Sequence, residues 1–218
     1  MILSLEKYEI REKPFKHIVY RDTIKADQKE VTLEALNQIE KQKCLLVENE
    51  NFSKIELKKS SGICGKLMES MSSKELASLC SNLFSIPNIE PDPQFDGGGL
   101  TYTEVGKYLR YHYDFPYSNT AKKYRVINAL LYLSDPNIKG GDLHLLDPES
   151  GTVESCIEPK FGTLAIFATS NKTPHGVSKI YSHPRIAINS YFYANQPLDE
   201  RTEPSKTIWL NNMKTVKR

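Results

Sequence analysis

The sequence predicts an α+β protein, with helices over roughly the first 90 residues followed by a jelly roll or small barrel of short strands. Three observations carry that expectation. Up to residue 90 the apolar residues recur at helical spacing. The stretch Ile86–Gly99 then breaks the pattern with three prolines and three glycines. From Leu100 onward, short segments rich in β-branched and aromatic residues alternate with turn signals.

Asp27 followed by Glu30 reads as a capping box, and Val31, Ala35 and Ile39 then repeat at i, i+4 and i+8. Ser72 and Glu75 read as a second box. Behind it Leu76, Leu79, Cys80 and Leu83 form one apolar helix face. Residues 46–62 are polar, with a strand expected around Ser53–Leu57. Beyond the Pro/Gly hinge, strands are expected near 100–105, 107–112, 125–133, 142–147, 152–157, 163–168, 174–180 and 185–194. Asp135-Pro136, Gly140-Gly141, Phe161-Gly162 and His183-Pro184 are among the dividers. So many short strands in one stretch suggest two facing sheets, with the helices covering one outer face. The expected division is an N-terminal helical support region over 1–90, a core over 91–197 and a tail over 198–218. In the tail, Ile208, Trp209 and Leu210 are apolar enough to dock on the rest.

Composition narrows the function. At 218 residues the chain is one good-sized domain, or one domain with a helical extension. Its 29 basic and 27 acidic residues give a formal charge of +2, too little for a nucleic-acid footprint. No stretch approaches the ~18 apolar residues of a membrane span. Glu6 and Glu9 interrupt what a signal peptide would keep apolar. Cys44, Cys64, Cys80 and Cys156 form no CxxC pair, which argues against a cysteine zinc site or a disulfide framework. A cytoplasmic setting follows as the expectation. Gly97-Gly98-Gly99 is not a phosphate loop, because no Lys-Ser/Thr follows; a tight turn into the first strand is its expected role.

The chemistry concentrates at Tyr111-His112-Tyr113-Asp114. Residues i and i+2 of a strand share a face, so His112 and Asp114 can offer an imidazole and a carboxylate to one point. Thr173-Pro174-His175-Gly176-Val177 follows in a late strand, and Arg185 opens another ten residues on. Two imidazoles and one carboxylate on one face of a metal leave the opposite face open, as in non-haem Fe(II) sites. An arginine beside such a centre can hold a carboxylate with two parallel hydrogen bonds. Of the other histidines, His144 is expected on the face away from the metal, His183 in a solvated turn, and His17 outside the barrel.

On these residues the chain resembles the Fe(II)- and 2-oxoglutarate-dependent dioxygenases of the prolyl 4-hydroxylase type, in particular their bacterial H-x-D-F branch. The resemblance covers roughly residues 84–197. It is carried by GGGLTYTEVGKYLRYHYDF, RVINALLYLSD, GGDLHLL, EPKFGTLAIF and the distal His-Gly-Val and Arg. It implies a double-stranded β-helix core. It implies His112, Asp114 and His175 as iron ligands and catalytic centre, and Arg185, Tyr102 and Tyr132 around 2-oxoglutarate. It implies Arg125 as a substrate contact at the mouth. Tyr191, six residues beyond Arg185, is a second expected substrate contact; it stands where some peptide prolyl hydroxylases carry tryptophan, a departure that argues against a peptidyl-proline substrate. The implied cofactors are Fe(II) and 2-oxoglutarate as cosubstrate, with ascorbate as a possible reductant. The implied partners are dioxygen and an unidentified substrate, either a prolyl or peptidyl group or a small molecule of a biosynthetic pathway, with no nucleic acid and no membrane span. The implied activity is hydroxylation of an unactivated C–H bond; related halogenases lack the carboxylate supplied here by Asp114. The alternative is a non-catalytic cupin-like metal- or sugar-binding module.

Overall fold

Two strands precede the first helix: β1 (Tyr8–Arg11) and β2 (His17–Tyr20). The computed structural model describes residues 2–42, 45–49, 52–200 and 207–210. Cys44 and the basic residues Lys206, Lys214, Lys217 and Arg218 lie outside them. Asp27 caps α1 (Gln28–Lys41), its carboxylate accepting the Glu30 N–H at 3.0 Å, and Val31, Ala35 and Ile39 are buried as their spacing requires. A hairpin follows, β3 (Leu45–Asn49) and β4 (Phe52–Leu57), in which β4 is the strand expected near Ser53.

The helix α2 (Gly62–Met71) has no counterpart in the sequence reading, because Gly62 and Gly65 resemble turn residues. Tertiary packing overrides that weak propensity: Cys64, Leu67, Met68 and Met71 are buried, and the Glu34 carboxylate of α1 accepts the Cys64 N–H at 2.8 Å. The cap of α3 (Lys74–Phe84) is Ser73, one residue later than the expected Ser72. Ser73 Oγ accepts the Leu76 N–H at 3.1 Å, whereas the Ser72 N–H closes the last turn of α2 on Met68 O.

The remaining strands are β5 (Glu90–Pro91), β6 (Gly99–Thr103), β7 (Leu109–Tyr113), β8 (Tyr117–Ser118), β9 (Lys123–Tyr132), β10 (Lys139–Gly140) and β11 (Leu143–Leu146). They continue through β12 (Val153–Ile157), β13 (Leu164–Ala168), β14 (His175–Val177), β15 (Ile180–Ser182), β16 (Arg185–Ala194) and β17 (Ile208–Trp209). Each of the eight expected strands has its counterpart, the one near 174–180 divided between β14 and β15. The main sheet is antiparallel and runs β1-β2-β13-β9-β16-β6-β4-β7-β14-β11-β12. With the three helices packed on one face, this is a jelly-roll architecture.

Strand alternation divides the core in two. Ile127, Ala129 and Leu131 of β9 face the helices, together with Leu67, Leu76 and Ile188. Leu130 and Tyr132 face the other way, together with Leu143, Phe167 and Ala187. Strand β2 joins the main sheet beside β13, which corrects the placement of His17 outside the barrel: His17 is fully buried, between Phe15 O and Ser155 Oγ. The glycine triplet is a close-approach turn. A Cβ on Gly98 would sit 2.4 Å from Asn189 O, and Gly99, at φ +102°, would place one 2.5 Å from Leu57 O.

Candidate active site

Strand β7 carries His112 with its imidazole turned inward, and Asp114 follows on the same face two residues on. Strand β14 lies alongside in a register that puts His175 directly opposite His112. The two rings lie 4.4 Å apart between centroids, and Phe167 packs edge-on against His175. Nε2 of His112 is 3.6 Å from Asp114 Oδ1, and Nε2 of His175 is 3.7 Å from Oδ2. One ligand atom from each of the three residues falls within 4.8 Å of the others, and all three residues are buried.

The backbone fixes the tautomers. Nδ1 of His112 lies 2.8 Å from Arg110 O, and Nδ1 of His175 lies 3.0 Å from Thr173 O. A carbonyl can only accept, so Nδ1 carries the proton in each ring and the Nε2 lone pairs face the shared centre. Burial and the neighbouring His112 push the His175 imidazole down to about 4, which keeps it neutral and able to ligate. Burial alone would neutralise Asp114, but His175, His112 and Arg125 outweigh it and hold the carboxyl well below the usual range. Such a donor set fits a divalent first-row metal such as Fe(II).

Two residues outside the triad hold Asp114. Asn128 Nδ2 donates to Asp114 Oδ2 at 3.0 Å, and Arg125 reaches Oδ1 at 3.6 Å. The Arg125 guanidinium lies between the Phe115 and Tyr191 rings, 3.6 and 3.3 Å from their centroids. It also donates to Asp96 O at 3.1 Å. The resemblance implies Arg125 at the mouth; in the structure it is fully buried behind the carboxylate while still lining the cavity. Asn128 carries no signal in the sequence, because its role exists only once β9 crosses behind Asp114.

Arg185 opens β16 inside the cavity. Its Nε donates to Gly141 O at 3.1 Å and its Nη2 to Tyr132 Oη at 3.4 Å. Both partners are neutral. A buried guanidinium with neutral partners suits the far carboxylate of a diacid such as 2-oxoglutarate. Tyr132 thus lies behind the Arg185 guanidinium, within hydrogen-bond reach of it. Tyr102 does not: Thr101 and Thr103 line the cavity, so strand alternation turns Tyr102 to the opposite face, where it packs against the helix-side core. His144 also sits off the centre, 2.9 Å from Tyr111 Oη, and His183 lies in an exposed turn at φ +58°.

The cavity measures about 410 Å³. It runs from Arg185 and Leu143 past the triad to Phe52 and Lys54 of β4 and to Trp209 of β17. The apolar tail docks here: Ile208 and Trp209 pair with Tyr113 and His112, and the Leu210 N–H donates to Tyr111 O at 2.9 Å.

Comparison with known proteins agrees with this geometry. Residues 97–193 match the family model described as the 2OG-Fe(II) oxygenase superfamily. Prolyl 3-hydroxylase 3 of Mus musculus is 38% identical over 68 residues, 31% of this chain but only 9% of that protein. Among solved structures, a prolyl-4-hydroxylase from Pseudomonas putida matches 81% of this chain and 91% of its own, with a TM-score of 0.60 at 17% identity. A Trichoplax adhaerens prolyl hydroxylase, in complex with a hypoxia inducible factor oxygen degradation domain peptide fragment, matches 81% and 83%, with a TM-score of 0.57 at 20% identity. At such identities the structural matches establish the fold.

Proposed function

We propose that the region matching the 2OG-Fe(II) oxygenase superfamily, residues 97–193, is a prolyl hydroxylase-like domain and that the protein hydroxylates an unactivated C–H bond. The observation that carries this reading is the pair of imidazoles whose Nδ1 protons are committed to backbone carbonyls, with a buried carboxylate between their Nε2 atoms. The residues fit the metal and the cosubstrate that the family uses. When bound, Fe(II) with 2-oxoglutarate and dioxygen supplies the oxidant for hydroxylation, the cosubstrate leaving as succinate and carbon dioxide.

The chain's own residues set the conditions for that chemistry. His112, Asp114 and His175 would hold the metal through two imidazoles and one carboxylate. Asn128 and Arg125 fix the orientation of the Asp114 carboxylate, which would keep it aimed at a bound metal. Arg185 and Tyr132 orient the cosubstrate by its far carboxylate, the guanidinium offering the paired donors that a point charge lacks. The walls of Leu130, Leu143 and Val177 keep bulk water from the centre. The carboxylate of Asp114 occupies the position that a halogenase leaves vacant, so hydroxylation is the expected outcome.

Succinate release tests the reading. With Fe(II), ascorbate, dioxygen and 2-oxoglutarate, the wild type should release succinate slowly even without its substrate. Asp114→Ala should reduce this to background, and His144→Ala should stay within a few fold of wild type. Equal rates for wild type and Asp114→Ala would favour a non-catalytic metal-binding module instead.

A further inference from the structure

Strand β17 is two residues long, yet it lies against the strand that carries the first metal-facing histidine. Trp209 pairs with His112 in register, and its indole is 5.1 Å from the His112 ring between centroids. On its other side Phe52 of β4 stacks on it at 5.8 Å and 26°. Phe52 is itself paired with Leu109, so β4 and β17 both pair with β7, at Leu109 and at His112 and Tyr113. Trp209, Phe52 and Thr207 all line the cavity that holds the triad. Ile208, the neighbour of Trp209 on the strand, points outward and is exposed. The indole is thus the part of the tail turned to the site.

We propose that this tail segment is a fixed wall of the substrate subsite, and that Trp209, backed by Phe52, determines which group reaches the metal. The inference rests on the hydroxylase reading above and deepens it to a substrate class. The cavity of about 410 Å³ must hold the five-carbon cosubstrate as well as the reacting group. That volume is near the small end of the ~300–1,000 Å³ usual for ligand pockets. The edge of β7 at His112 and Tyr113, against which an extended peptide could lie, already carries the chain's own backbone. The wall is aromatic, and Lys54 and Glu56, the nearest charges on β4, are ion-paired to each other at 2.6 Å. A compact small molecule with an aliphatic or planar body fits this space; an extended polypeptide does not.

Trp209 is the chain's single tryptophan, which makes its emission a direct probe. Co(II), added in place of iron, should remove most of that emission at one equivalent, and His112→Ala should abolish the response. In the metal-free protein, Phe52→Ala should shift the emission to the red as the indole loses its backing. Trp209→Ala should raise substrate-free succinate release several-fold, with Trp209→Phe returning it toward wild type. A proline-containing decapeptide should leave wild-type succinate release unchanged. Emission indifferent to Co(II) that calorimetry shows to be bound would overturn the proposal while leaving the metal site standing. Loss of Co(II) binding itself would instead count against the hydroxylase reading, and the Phe52→Ala shift would still report on Trp209. Unchanged release in Trp209→Ala, an unshifted Phe52→Ala spectrum, or stimulation of the wild type by the decapeptide would each overturn the wall.

Discussion

Arg185 shows how much one side chain's surroundings decide. Its guanidinium is buried and donates to a backbone carbonyl and a phenol, Gly141 O and Tyr132 Oη. Replacing it by lysine keeps a charge and loses the paired fork. We expect Arg185→Lys to raise the KM for 2-oxoglutarate by about tenfold or more, the equivalent of ~1.4 kcal/mol, with metal affinity measured by calorimetry little changed. His175 gives a pH dependence. Its imidazole stays neutral down to about 4 in the fold, against 6.5 when unhindered. Burial lowers His17 in the same sense. Between those limits the unfolded chain binds more protons than the folded one, so acid favours unfolding there. The melting temperature of the metal-free protein should fall as pH drops from about 6.5 toward about 4, and His175→Gln should flatten that fall. The i, i+2 spacing nominates His112 and Asp114 in the sequence, while His175 and Arg185 are nominated by their order behind that pair and by the resemblance. Tyr102 was misplaced by strand parity, since Thr101 and Thr103 take the inward positions. Asn128 and Trp209 were not legible as site residues, because only the crossing of β9 and the return of the tail bring them to Asp114 and His112.

At the level of elements, the strands after residue 99 read well because turn residues bracket each one. The N-terminal region read less well. The four residues of β2 are buried throughout, so no alternation marks them as a strand. The first turn of α2 opens on Gly62 at φ +60°, which reads as a loop. The helix caps and the glycine triplet make separable predictions. Ser73→Ala removes the acceptor of the Leu76 N–H and should cost about 1 kcal/mol in denaturant unfolding. Gly98→Ala should cost more than Ser73→Ala, because its Cβ would meet Asn189 O at 2.4 Å and neither β16 nor the turn into β6 can yield without moving Arg185's strand.

The whole molecule couples fold to ligand, since β7, β14 and β16 bring the triad and Arg185 together only when the sheet has closed in register. Anything that binds there stabilises the folded state by mass action. With metal at about 100 times its dissociation constant, ~2.7 kcal/mol is expected, and saturating 2-oxoglutarate adds to it. For a domain of this size that is a rise in Tm on the order of 5–10 °C, reversed by a chelator and absent in His112→Ala. Among the described residues no helix is long and apolar enough to cross a membrane. The most direct measurement is a crystal structure grown anaerobically with Fe(II) and 2-oxoglutarate. We expect one iron held by His112 Nε2, His175 Nε2 and an Asp114 oxygen at ~2.0–2.2 Å, with the far carboxylate of 2-oxoglutarate paired to Arg185. Iron bound elsewhere, or 2-oxoglutarate seated away from Arg185, would contradict the assignment.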